Sequence, residues 1–195
     1  CTAMSRLVVH KSVKDELLGK LVDLGKSLKI GPGYEEGSEL TPVISQNQLD
    51  KVEGYARSGI QAGAEAVHGG KRVNREGYFM EATVLDKVTQ DMTVAREEIF
   101  GPVLSVLEYE EPEEAIHIAN DTDYGLGAGV FTKDLDKASW TASKLESGQV
   151  YVNKWFTGSL ATPFGGYKQS GYSREKGQQA LNAYLQIKNV GISLS

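Results

Sequence analysis

Apolar residues recur along this chain at two spacings, and their alternation predicts its elements. Residues 7–10 (Leu-Val-Val-His) form a short β-branched run that reads as a strand. Ser12 then stands where a helix cap is expected. Val13, Leu17, Leu18, Leu21, Leu24 and Leu28 follow at helical spacing until Gly31-Pro32-Gly33 ends the unit. After a loop rich in Gly, Glu and Ser, Ser45 opens a second helix carried by Leu49, Val52, Tyr55, Ala56 and Ile60 and stopped at Gly63. Residues 64–68 and 78–85 read as strands, with Gly69-Gly70 as a turn after the first.

The second half repeats the alternation: strand 103–109, helix 112–120, strand 126–132, helix 135–147, strand 150–153. Strand alternating with helix predicts an α/β fold with a largely parallel sheet flanked by helices. Beyond Asn153 a Gly- and aromatic-rich loop runs to residue 172, followed by an expected helix over 174–182. Residues 184–194 alternate apolar and polar and read as a terminal strand. An uncovered edge of this kind is an aggregation hazard, so the strand is a candidate oligomer contact, with a plain edge strand as the alternative.

Composition narrows the function classes. The chain has 195 residues, 40% hydrophobic and 24% charged, with a formal charge of −5. A broad positive field is missing, which argues against a nucleic-acid partner. No apolar run approaches the roughly 18 to 20 residues needed to cross a bilayer, so no membrane association is expected. The single cysteine, Cys1, rules out an intrachain disulfide and suits a reducing, cytoplasmic setting. His10, His68 and His117 are far apart and lack paired-ligand spacing, so no metal site is expected.

Two near-motifs fail on context. Gly19-Lys-Leu-Val-Asp-Leu-Gly25-Lys26-Ser27 has one residue too many for a phosphate loop and lies within a helix. Gly125-Leu-Gly127-Ala-Gly129 leads into a strand instead of following one, so it is not a dinucleotide fingerprint. Cys1 is the one nucleophile with a strong chemical argument, because a thiolate adds readily to carbonyl carbon. A spectator thiol is the plainer reading. Three segments are awkward for mere packing: Ala95-Arg-Glu-Glu-Ile-Phe-Gly-Pro102, Gly148-Gln-Val-Tyr-Val-Asn153, and Thr162-Pro-Phe-Gly-Gly-Tyr-Lys-Gln-Ser-Gly171. Asn153 ends a predicted parallel strand, where open α/β sheets place their ligand crevice.

Taken in order, these segments resemble the carboxyl-terminal portion of the NAD(P)-dependent aldehyde dehydrogenases. The resemblance rests on Glu-Glu-Ile-Phe-Gly-Pro-Val at 97–103, Tyr-Gly-Leu at 124–126, Val-Phe-Thr-Lys-Asp at 130–134 and Pro-Phe-Gly-Gly-Tyr-Lys-Gln-Ser-Gly at 163–171. It implies that Cys1, followed by Thr-Ala-Met-Ser-Arg6, is the nucleophile that attacks the aldehyde, with hydride passing to the nicotinamide and water releasing the acid. It further implies that Glu98 binds the nicotinamide ribose, that Phe100 packs at the nicotinamide end, and that Gln48 lies near the cofactor, NAD or NADP. Thr2, Phe156 and Phe164 resemble positions of the substrate tunnel. The resemblance divides the chain into a catalytic α/β domain over 1–183 and an oligomerisation tail over 184–195 that would join a homodimer or homotetramer.

The family places its cofactor domain, its oxyanion Asn and its general-base Glu upstream of the cysteine, so they are expected outside these 195 residues. One oxyanion donor alone is worth about 10² to 10³ in rate, and the isolated chain is therefore expected to be inactive. Tyr172-Ser173 departs from the small residues many relatives carry before the Arg-Glu pair matched by Arg174-Glu175, which puts substrate choice in doubt. Two other readings stay open. A non-catalytic dimerising module could use the same fold. An N-terminal-cysteine hydrolase would use the free α-amine as its base and predicts antiparallel layers.

Overall fold

The computed structural model describes residues 2–194. Chain contacts divide them into one unit of residues 3–121 and a second of residues 122–194 with Thr2.

The first unit is built on β1 (Arg6–His10), β2 (Glu65–His68), β3 (Thr83–Asp86) and β4 (Val103–Tyr109). Their order in the sheet is β1-β4-β3-β2. β1 and β3 both run parallel to β4, and β2 is the antiparallel edge. Alternation along the strands sends side chains to two faces. Val103 and Leu107 of β4 and Leu85 of β3 join a core with Leu49, Val52 and Ala56 of α2 (Gln46–Gln61). Val94 and Ala95 of α3 (Thr93–Arg96) and Ile118 of α4 (Pro112–Asn120) close the same core. Val9, Val84 and Val106 point the other way, onto Leu18 of α1 (Lys11–Ser27). Helices thus cover both faces of a mostly parallel sheet, as the alternation predicted.

Local details depart from the sequence reading for physical reasons. The cap of α1 is His10, whose Nδ1 accepts from the Ser12 backbone nitrogen at 3.1 Å; Ser12 lies inside the first turn. Val13 and Leu24 are exposed, because at about 100° per residue both lie far round the helix from Leu18. Lys14 faces the sheet instead and reaches Glu108 at 2.7 Å and Asp86 at 3.4 Å. Of the strand expected over 78–85 only 83–86 joins the ladder. Before it, a single bridge pairs Arg72 with Met80. Ser45 caps α2 as read, accepting from the Gln48 nitrogen.

In the second unit β6 (Gly127–Val130) runs parallel to β7 (Gln149–Val152), joined through α5 (Leu135–Lys144). β5 (Tyr124–Gly125) pairs antiparallel with β8 (Tyr167–Lys168). The strand expected over 126–132 is therefore split at Leu126, and the helix expected to residue 147 ends at Lys144. The helix expected over 174–182 is replaced by a 3-10 helix, Gln178–Tyr184, entered through Gly177 in the left-handed region at φ 58°. Residues 185–194 form no strand. A strand requires a partner strand for its backbone groups, and among the described residues none pairs with this segment as a strand; Ile187 and Leu194 are exposed. No described helix is long and apolar enough to cross a membrane.

Candidate active site

Cys1, the expected nucleophile, lies outside the described residues. The segment leaving it is anchored at Arg6, the first residue of β1. Its guanidinium donates from Nη2 to the Ile118 carbonyl at 2.6 Å and from Nη1 to the Ala119 carbonyl at 3.4 Å. Nε is buried without a partner among the described residues. Burial lowers the Arg6 pKa, against a raising effect of Asp121. Asp121 itself is held by a two-pronged contact to Arg96, with Nη1 and Nη2 at 2.9 and 2.8 Å from its two oxygens. That contact keeps the Asp121 carboxyl below the usual aspartate range.

The expected cofactor residues come together in the first unit, on the turn between α3 and β4. The Gln48 side chain, one turn into α2, donates from Nε2 to the carbonyls of Ile99 and Phe100, both at 3.0 Å. These two bonds hold Phe100 in the left-handed region, at φ 56°, with its ring 60% exposed. Such a conformation is costly for a bulky residue and persists only where neighbours impose it. Gly101 completes the turn, since a Cβ there would come within 2.4 Å of the fully buried Val52 side chain.

Adjacent acids divide the work, a distinction the sequence does not carry. Glu97 accepts a hydrogen bond from the Tyr55 hydroxyl and is spent on α2. Glu98 is exposed and has no hydrogen-bond partner among the described residues. A carboxylate with all its lone pairs open, beside an exposed aromatic ring on a fixed turn, fits a ligand carrying vicinal hydroxyls and a flat heterocycle. These residues therefore fit the nicotinamide riboside that the resemblance implies. Both Nε2 hydrogens of Gln48 are spent on this turn, which leaves its side-chain carbonyl oxygen for a ligand.

The expected substrate residues form a second cluster, in the second unit. Trp155 donates from Nε1 to the Thr2 carbonyl at 2.7 Å. Tyr151 meets the rings of Trp155 and Phe156 at 5.8 and 6.2 Å, and Phe156 meets Phe164 edge-on at 6.4 Å. Thr2, Phe156 and Phe164 thus belong to one chain of contacts, tied together by Tyr151 and Trp155, which sequence reasoning did not single out. The advance signs were the segment 148–153, which contains Tyr151, and the aromatic-rich run after β7, which contains Trp155. Phe156 stands at φ 53°, another imposed left-handed conformation. Glycine is needed at 148, just before β7, where the chain passes close to Gly165: a Cβ on Gly148 would lie 1.9 Å from the Gly165 carbonyl oxygen. Phe164 is fixed by two backbone bonds to Glu175, both 2.7 Å.

The Asn153 side chain is engaged within the fold. Its Oδ1 accepts from the Thr132 nitrogen at 2.9 Å and its Nδ2 donates to the Thr132 carbonyl at 2.8 Å, which extends the β6–β7 pairing by one residue through a side chain. Among the described residues no group of three His, Cys, Asp or Glu side chains could hold a metal.

Comparison with known proteins places this geometry. The model of the aldehyde dehydrogenase family matches residues 1–190. The chain is 44% identical, over its whole length, to the mitochondrial aldehyde dehydrogenase family 2 member B4 of Arabidopsis thaliana, and covers 36% of it. A crystal structure of an NAD-dependent aldehyde dehydrogenase from Sinorhizobium meliloti superposes with a TM-score of 0.96 at 38% identity, over 100% of this chain and 39% of that one. Betaine aldehyde dehydrogenase from Staphylococcus aureus, in complex with NAD+, is similar with a TM-score of 0.89 at 41% identity, over 92% of this chain and 37% of the other. This chain thus spans less than two fifths of the length of each.

Proposed function

Because the chain belongs to the aldehyde dehydrogenase family, we propose that it is the part of an NAD(P)-dependent enzyme that supplies the nucleophile and the nicotinamide end of the cofactor site. The reaction is oxidation of an aldehyde to a carboxylic acid, with water as the source of the second oxygen. The observation that carries this reading is the turn at 98–100, where an open carboxylate and an exposed ring are held in place by Gln48.

A bound NAD(P) would supply the electron acceptor. The chain's own residues would supply the nucleophile, the nicotinamide end of the cofactor site and part of the tunnel wall. Cys1 would add through sulfur to the carbonyl carbon and keep the substrate attached until water cleaves the bond to sulfur. Glu98 would accept hydroxyl hydrogens of the nicotinamide ribose, and Phe100 would pack against the ring end. Thr2, Phe156 and Phe164 would line the tunnel, an apolar wall that suits an aldehyde chain and limits stray water.

In this reading residues 1–183 are catalytic and 184–195 pair with a second subunit in a homodimer or homotetramer. The exposed Leu185, Ile187, Val190, Ile192 and Leu194 support that role. A reducing, cytoplasmic compartment suits the lone thiol. The hydrolase alternative needs antiparallel layers, and the β1-β4-β3 order is parallel. The test is turnover by the full natural protein containing this sequence, with NAD and NADP and a set of aldehydes. Glu98→Ala should raise the KM for the dinucleotide well above the wild-type value. An unchanged KM would refute the assignment.

A further inference from the structure

Lys176 follows the bridge that fixes Phe164 and, like Phe156, stands in the left-handed region, at φ 58°. Its ammonium lies 5.3 Å from the centre of the Phe164 ring and 6.0 Å from that of Phe156. It is half-buried and forms no ion pair among the described residues. An ammonium seated on aromatic faces gains from their quadrupole, but it keeps its full charge. Two consequences follow. The ring faces that could hold a cationic ligand group are taken by the protein's own cation. The same unneutralised charge, partly withdrawn from water, attracts an anion that approaches the rings.

We propose that Lys176 sets substrate choice at this site, turning away aldehydes with a cationic far end and favouring those that end in a carboxylate. The inference rests on the reading of Phe156 and Phe164 as tunnel residues. It also separates this chain from the betaine aldehyde dehydrogenase it is similar to, whose named substrate carries a quaternary ammonium. No backbone similarity could show this, because the discriminating atom is one side-chain nitrogen.

The experiment compares kcat/KM of the full natural protein for 4-oxobutanoate, butanal and (trimethylammonio)acetaldehyde, then repeats it with Lys176→Gln and Lys176→Glu. The wild type should rank the three in that order. The ratio of the anionic to the cationic substrate should fall about tenfold in K176Q and further in K176E, the scale of one charge at roughly 5 Å in a partly wet site. Should either variant fail to fold, the wild-type ratio itself decides, since it must shrink as salt is raised. A wild-type ratio insensitive to salt overturns the proposal, as does a shift below about threefold in both variants. Product from none of the three aldehydes overturns the dehydrogenase reading and this proposal with it.

Discussion

The Gln48 amide spans from α2 to the carbonyls of Ile99 and Phe100, 3.0 Å to each, and so fixes the conformation of the turn that presents Glu98. Replacing Gln48 by Ala removes both bonds and leaves two carbonyls to water, a loss of about 1–2 kcal/mol in the local order of the turn. In the full protein this should appear as a KM for the dinucleotide raised by roughly tenfold or less, with a smaller change in kcat. Steady-state kinetics with varied NAD and NADP check it; a lower kcat at unchanged KM would assign Gln48 another task.

Gly101 is fixed by Val52. With a Cβ 2.4 and 2.7 Å from the two Val52 methyls, Gly101→Ala should destabilise by about 1–3 kcal/mol. Adding Val52→Ala should give back part of the loss, since the pair is in contact and its effects are not additive. Urea unfolding of the two single variants and the double variant measures this coupling.

Asn153 is a strand residue in disguise. Its backbone stands at φ 54° and its side chain makes both bonds to Thr132. Asn153→Ala should cost about 1–3 kcal/mol, with Asn153→Gly less damaging because glycine accepts the backbone conformation without penalty. Equal losses in the two variants, measured by thermal unfolding, would mean that the hydrogen bonds alone matter.

The Arg96–Asp121 contact predicts an acid limb. Hydrogen bonding and the charge of Arg96 hold the Asp121 carboxyl below its ordinary 3.8, so its stabilisation is present above that value and is lost as pH falls through the lower folded-state value. Asp121→Asn should flatten the fall in stability below about pH 4 and weaken the protein at neutral pH. Unfolding midpoints followed from neutral to acid pH test both halves of this statement.

How far the sequence spoke depended on how local each cause was. β4 and α4 are found where the periodicity put them, at Val103–Tyr109 and Pro112–Asn120, because burial pattern and helix-start proline act within a few residues. The 3-10 helix at Gln178–Tyr184 escaped because Gly177 and the bridge between Phe164 and Glu175 impose the local path from outside the segment. A motif marks the segment that holds Glu98 and Phe100, whereas the division between Glu97 and Glu98 depends on Tyr55, 42 residues earlier. Asn153 looked like a site residue because its strand position was right, and only its contact with Thr132 shows that both its polar atoms are used. Lys176 gave no sequence signal, since an ion over two rings is defined by the fold of the loop.

If Cys1 is the nucleophile that holds the aldehyde while NAD(P) oxidises it, the decisive measurement is aldehyde-dependent formation of NAD(P)H by the full natural protein beside its Cys1→Ala variant, both checked for retained fold by circular dichroism. Turnover is expected in the wild type and a loss of at least about 10³-fold in the variant, since without the thiol no covalent route exists. A Cys1→Ala protein that still oxidises the aldehyde at a comparable rate would contradict it.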